Sequence, residues 1–174
     1  MHNHAPLWGD EPKVALEFVQ KIGDIENSDD NYVMFELYDI AKDSKENIYI
    51  IDGSSCRVQI FDSNGKYIGT IGERGQGPGE FYYPFRIKID KNDNIYISDI
   101  GPPYIHIFRS NWHFKERITA PVRLILNFEI LNSGNIVLPF GKAVGSLDPE
   151  TSNSVVCITN NDGIIQYEFG KPKE

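Results

Sequence analysis

The sequence is short of positive charge, of long apolar runs and of cysteine. Lys and Arg number 17 against 25 Asp and Glu, a net charge of −8. A duplex nucleic-acid binder usually presents a basic face, so this balance argues against one and favours solubility. No apolar run approaches the roughly 20 residues that a bilayer-spanning helix needs. The opening MHNHAPLWGDEPK lacks the charged start, apolar middle and small-residue cleavage site of a secretory signal. Four histidines are scattered as His2, His4, His106 and His113. His106 and His113 fall on one hairpin, but no histidine recurs at an equivalent place elsewhere. A converging set of metal ligands is therefore not expected.

What the chain does have is Tyr, Phe and Ile in short alternating runs, which suits strands. The runs recur at a fixed offset of 47 residues. Asn47, Ile48, Tyr49, Ile50 and Asp52 meet Asn94, Ile95, Tyr96, Ile97 and Asp99, and Ile60-Phe61 meets Ile107-Phe108. Self-similarity at one period marks a repeat architecture, and four strands in 40 to 47 residues select a propeller blade.

The first full repeat predicts strands at residues 36–41, 47–52, 57–62 and 66–71. The second predicts 86–90, 94–99, 104–109 and 113–118. A more diverged third predicts 125–131, 135–140, 155–159 and 164–169, with an insertion at 141–154. Asn64-Gly65 reads as a type I′ hairpin turn, in which both central residues take positive φ. Trp112 stands where that glycine would recur, so the second hairpin is expected to close differently. Residues 14–22 read as a surplus outer strand ahead of the first repeat, after a flexible leader at 1–13 and before a tail at 171–174. The acidic stretch at 24–31 lacks the spacing of a calcium loop and reads as a solvated link. Cys56 and Cys157 are both placed on the third strand of their repeats, two repeats apart. Bonded cysteines need Cα atoms within about 7 Å, so both are read as inert buried thiols.

The run from Asn47 to Pro84 resembles a blade of the NHL-type six-bladed β-propellers. The residues that carry the likeness are the strand IYIID, Arg57-Val58-Gln59-Ile60-Phe61-Asp62, Asn64-Gly65, and the link Gly75-Gln76-Gly77-Pro78-Gly79-Glu80-Phe81 with Pro84. The likeness fades through the second and third repeats, with Tyr104 for Arg57, Trp112 for glycine and Pro139 for the strand-end Asp. It implies an all-β partial propeller of three four-stranded antiparallel blades, at about 36–71, 85–118 and 125–169, plus the extra N-terminal outer strand. Such rings close with about six blades, so the first and last faces here are expected to lie uncovered, to be covered by further blades or by self-association in preference to standing alone as an open arc. The family also leans towards exported bacterial proteins.

In an up-and-down blade the links and the second-to-third-strand loops share one face. That face collects Asp52 and Arg57, Arg74 and Glu80 of the link, Asp99 and Tyr104, and Lys142 of the insertion. Loops held on a rigid scaffold are a common place for binding, and these residues form the candidate site. Against that, Asp52 and Asp99 suit bonding to turn amides, and Arg57 and Arg74 suit pairing with neighbouring carboxylates. Gly75, Gly77 and Gly79 are not followed by the Lys-Ser/Thr of a phosphate loop. No cofactor is expected. The reading is a non-catalytic binding or scaffolding module for a protein or small ligand; the alternative is part of a propeller hydrolase or lyase whose site needs further blades.

Overall fold

The computed structural model describes residues 17–23, 29–120, 124–141, 154–159 and 165–169. Among these residues twelve strands form three four-stranded antiparallel sheets. The first holds β1 (Leu37–Lys42), β2 (Ile48–Asp52), β3 (Arg57–Phe61) and β4 (Tyr67–Ile71). The second holds β5 (Pro84–Ile89), β6 (Ile95–Ile100), β7 (Pro103–Phe108) and β8 (Phe114–Thr119). The third holds β9 (Glu129–Ile130), β10 (Ile136–Gly141), β11 (Ser154–Thr159) and β12 (Ile165–Phe169). Each sheet runs in sequence order with antiparallel neighbours. These are propeller blades. β9 is much shorter than the stretch 125–131 that its composition suggested.

The blades stack face to face, so the inner strands are apolar on both sides rather than alternating. Tyr49, Ile51, Val58, Ile60 and Ile71 of the first blade meet Ile87, Ile95, Ile97 and Phe108 of the second. The opposite face of the second blade, through Tyr96, Ile105, Ile107 and Ile118, meets Ile125, Phe128, Ile136 and Leu138. The period-2 geometry of a strand sends neighbouring residues to opposite seams.

One turn recurs at the first hairpin of every blade. Glu46, Asp93 and Gly134 take φ of 64°, 60° and 87°, one residue before an asparagine. Asp43 accepts hydrogen bonds from Lys45 N, Asn47 N, Asn47 Nδ2 and the Tyr49 hydroxyl. Asp90 does the same for Asn92 N, Asn94 N, Asn94 Nδ2 and the Tyr96 hydroxyl. The third blade replaces this aspartate by Leu131 and the tyrosine by Val137, so acceptor and donor are absent together and neither is stranded.

The hairpin at Asn64-Gly65 is not type I′. Gly65 alone takes positive φ, 77°; its N–H bonds Asp62 O at 2.9 Å, while Asp62 N bonds Lys66 O at 2.8 Å. This is a type I turn followed by a left-handed residue, with the register shift that such a bulge produces. Trp112 closes the second blade in the same way rather than differently. It takes φ 69°, with Trp112 N on Arg109 O and Arg109 N on His113 O. The cost of a bulky side chain in that region is offset by packing. The indole lies against the first seam and its Nε1 donates to the Tyr49 hydroxyl at 3.1 Å.

Three further expectations change. Residues 17–22 of the expected outer strand carry no ladder pairing; 14–16 lie outside the described residues, as does the leader. A strand there needs inner strands of a preceding blade to pair with. Cys56 is not on a third strand but in the turn before β3, with φ 52°. It is buried and free, and its thiol, whose pKa burial pushes up, points at Tyr82 O at 3.3 Å. Finally, the first blade's outer face is not left open. Asp29 and Asp30 are exposed, but the chain after them folds onto the blade. Gln59 Nε2 donates to Asn31 O at 2.8 Å, and the Tyr32 ring packs 5.7 Å from Phe61.

That cover stops short of the inner strand. Ile40 of β1 is 63% exposed, whereas Ile87, its equivalent on β5, is 1% exposed against the first blade. Blade stacking is what separates them. By urea unfolding of the dilute monomer, Ile87→Ala is therefore expected to cost about 2–5 kcal/mol, and Ile40→Ala to stay within about 0.5 kcal/mol. Equal costs would overturn this account of the seam.

Candidate functional site

The links into the first and second blades are each tied down by a buried carboxylate at the end of that blade's second strand. Asp99 accepts from Tyr82 N at 2.6 Å, Tyr83 N at 2.8 Å and Gly101 N at 3.3 Å. Asp52 accepts from Phe35 N and Glu36 N, both at 3.4 Å, and from the Ser54 hydroxyl at 3.2 Å. They are 2% and 0% exposed, respectively. Burying a carboxylate is tolerable only with such partners. Counting from the turn asparagine, the third blade has Phe140 at this position rather than Pro139.

The two joints then diverge. In the first blade the Arg57 guanidinium lies 3.5 Å from Asp52 Oδ2 and donates to Val33 O at 2.9 Å and Asp30 O at 3.4 Å. It fills the space between link and blade. In the second blade the equivalent residue is Tyr104, and a hollow of about 160 Å³ remains. Gly75, Gln76, Glu80, Tyr82, Asp99, Pro102, Tyr104, His106 and Arg117 line it.

Of the residues picked from sequence, the structure brings Glu80, Asp99 and Tyr104 to this hollow. Glu80 also folds back on its own loop, accepting from Gly77 N at 2.8 Å. Arg74 does not line the hollow; it donates to Ser54 O at 2.9 Å and so ties the link to the first blade. Asp52 and Arg57 belong to the filled joint. Lys142 lies outside the described residues.

Sequence reasoning missed His106 and Arg117 as members of this group. Arg117 is exposed, stacks its guanidinium 4.1 Å over the Tyr104 ring and donates to Gln76 O at 3.1 Å. His106 is 1% exposed, edge-on to Phe81, Tyr104 and Phe114. Both its ring nitrogens lack a hydrogen-bond partner among the described residues, and Nε2 lies 3.9 Å from Asp99 Oδ2. Burial pushes its pKa down to about 4, Asp99 pulling upward and Arg117 adding to the depression. The imidazole is neutral at neutral pH. The available signal was the 47-residue offset itself, which aligns His106 with Gln59, also fully buried and polar. His113 shares no such setting: it is exposed in the hairpin turn, its Nδ1 3.0 Å from Asn111 O.

A second hollow of about 350 Å³ opens on the opposite face, between the first-hairpin turns of the second and third blades. Its cations are engaged, Lys88 with Glu129 at 2.8 Å and Lys91 with Asn132 O at 3.3 Å. Among the described residues no cluster of His, Cys, Asp and Glu is arranged to hold a metal ion, and no helix is long and apolar enough to cross a membrane.

The model of the DUF5128 family, a 6-bladed beta-propeller, matches residues 24–174. Among curated proteins the chain is similar to protein brain tumor of Drosophila melanogaster, 23% identical over 137 residues, 77% of this chain and 12% of that protein. Among solved structures it is similar to a candidate exported protein of Bacteroides fragilis, with TM-score 0.66 and 18% identity over 84% of this chain and 41% of that one. It is also similar to virginiamycin B lyase of Staphylococcus aureus, with TM-score 0.53 and 15% identity over 79% of this chain and 42% of that one. The chain thus spans 12% of the curated relative and about two fifths of these solved structures. At such identities the structural likeness carries the fold and not the reaction.

The state of His106 gives a pH signature. Its folded pKa of about 4 lies below the ordinary 6.5, so between those values the unfolded chain binds the proton more readily. Its contribution to stability is complete above pH 6.5 and declines to nothing as pH falls through 4, a loss of up to about 3 kcal/mol. Asp99, Glu80 and Arg117 face the same space and are retained in His106→Gln. Urea unfolding from pH 7.5 to 4 is expected to show a steeper decline for the native chain than for that variant. Parallel profiles would mean that His106 is charged or solvated when folded.

Proposed function

The chain belongs to the DUF5128 family of 6-bladed beta-propellers, and on that premise we propose that it is a binding and scaffolding module. Its contact surface is the face that carries the links and the second-to-third-strand loops. The observation that carries this reading is the second-blade joint, where buried Asp99 and unpartnered His106 stand behind a hollow open to that face. A concave site with a few convergent polar groups on a rigid frame is the usual form of a recognition site, and the exposed Tyr82 at its edge adds an aromatic surface. A photo-crosslinking residue placed at Gln76 or Pro102, expressed in the native cells, is expected to give discrete adducts. The same residue at Lys91 or Asn132, on the opposite face, should give none. Adducts from both faces alike, or from neither, would sink the assignment of the face.

Self-association is a second part of the reading, supported by a different observation. Phe35, Leu37 and Ile40 are exposed along and beside β1, where the second blade's Ile87 is covered by a neighbouring blade. The occupant suited to that surface is another blade, and a second copy of this chain supplies one. Light scattering across a dilution series should show a dimer that Ile40→Lys converts to monomer. A native chain that is monomeric at every concentration would refute it.

A further inference from the structure

The two described joints are built on one plan and differ by one missing cation. The 47-residue offset aligns Asp52 with Asp99, Arg57 with Tyr104, Gln59 with His106 and Val33 with Glu80. In the first joint a guanidinium sits at 3.5 Å from the buried carboxylate and donates to the main chain at Val33. In the second, Asp99 has no guanidinium. The nearest basic group is the imidazole of His106, 3.9 Å away and uncharged at neutral pH. Around it lie a second carboxylate, Glu80, and two His106 nitrogens with no partner among the described residues. Arg117 does not take the place of Arg57, because its guanidinium is stacked on the outer Tyr104 ring and bound to Gln76 O.

We propose that this joint binds a guanidinium group supplied from outside the chain, which occupies in the second blade the place that Arg57 fills in the first. The site suits that ligand on three grounds. Asp99 is held by amides in the position beside which the first blade places a guanidinium, 3.5 Å from its carboxylate. The bidentate fork of such a group matches a carboxylate and still leaves donors over, and the acceptor nitrogen of neutral His106 can take one of them. With Glu80 and Asp99 against Arg117, the lining carries one net negative charge, which disfavours an anion. The volume, about 160 Å³, suits a planar head on a short stem rather than a whole nucleotide or sugar chain. Such heads come from arginine side chains of a partner or from small free guanidines.

This inference rests on the loop-face reading above and names the chemistry of that face. The test is titration of the intact chain with acetyl-arginine methylamide, acetyl-citrulline methylamide, free arginine and acetate, followed by shifts of the Tyr82, Tyr83 and Gly101 amides and of the His106 ring. The arginine amide should shift these resonances together. Its neutral citrulline counterpart should bind at least roughly tenfold more weakly, the loss that goes with a charge-assisted hydrogen bond. Tyr104→Arg, which supplies the guanidinium internally, should abolish binding while the chain stays folded. A preference for free arginine over the capped amide would mark a small guanidine as the ligand, and the reverse a partner's side chain. Equal binding of citrulline, binding only of acetate, or unchanged binding by Tyr104→Arg would overturn the proposal. If the guanidines fail while crosslinks at Gln76 and Pro102 persist, the chemical class is wrong and the loop-face reading stands.

Discussion

The constraint on which the structure depends is the buried carboxylate at the end of a second strand. A propeller blade is a sheet with two apolar faces, and the chain must cross from the outer strand of one blade to the inner strand of the next. That crossing brings unpaired backbone amides to the seam, where water is excluded and an unmet donor is costly. Asp52 and Asp99 meet the amides of residues 35–36 and 82–83. The same bonds set where β1 and β5 begin, and with them the alignment of Ile87 against Tyr49 and Ile51. The seam packing and the link geometry are two consequences of one anchor.

An anchor of this kind leaves a charge inside the protein, and the two blades handle it in different ways. The first adds the half-buried Arg57, whose charge lies 3.5 Å from the fully buried Asp52 and offsets the cost of burying it. The second relies on three amides and exchanges arginine for tyrosine and glutamine for histidine. Tyrosine stands on its edge beside Arg117 and does not reach across, so the same backbone plan yields a filled joint once and a hollow once. The difference lies in side chains at equivalent positions of strand and link, Arg57 against Tyr104, Gln59 against His106 and Val33 against Glu80.

Much of the fold was legible because it is periodic. A strand exposes its period through alternation, and a repeat exposes its register through the offset, so Asn47 and Asn94 located both first-hairpin turns and the strands after them. The third blade was harder because Leu131 and Val137 replace the aspartate and tyrosine that mark the turn, and β9 is reduced to Glu129–Ile130. Asn64-Gly65 misled on turn type because the pair suits both a type I′ turn and a type I turn with a bulge; the choice is made by Asp62, whose carboxylate accepts from Asn64 N and Lys66 N. Trp112 misled because the preference for glycine at a left-handed position is only a local term, and the indole's contact with Tyr49 is a long-range one. The acidic link misled in part: residues 24–28 lie outside the described residues and Asp29 and Asp30 are exposed, but Asn31 and Tyr32 are drawn onto Gln59 and Phe61 by contacts with no local signature.

The candidate site was less legible than the fold for a related reason. Composition and spacing could place Glu80, Asp99 and Tyr104 on one face, since topology alone decides that. They could not show that Arg117, from an outer strand, stacks on Tyr104, or that His106 is buried. A buried histidine and a buried glutamine at one repeat position look like conservative filling until the neighbour three-dimensionally in front of them is known. In the first blade that neighbour is Arg57 and the polar position is covered; in the second it is space. The first two joints are anchored by separate carboxylates, Asp52 and Asp99, so one can be opened without disturbing the other. A fold whose seams are all alike can therefore carry a site at one seam only, and the chain's departures from its own repeat are where that site is to be found.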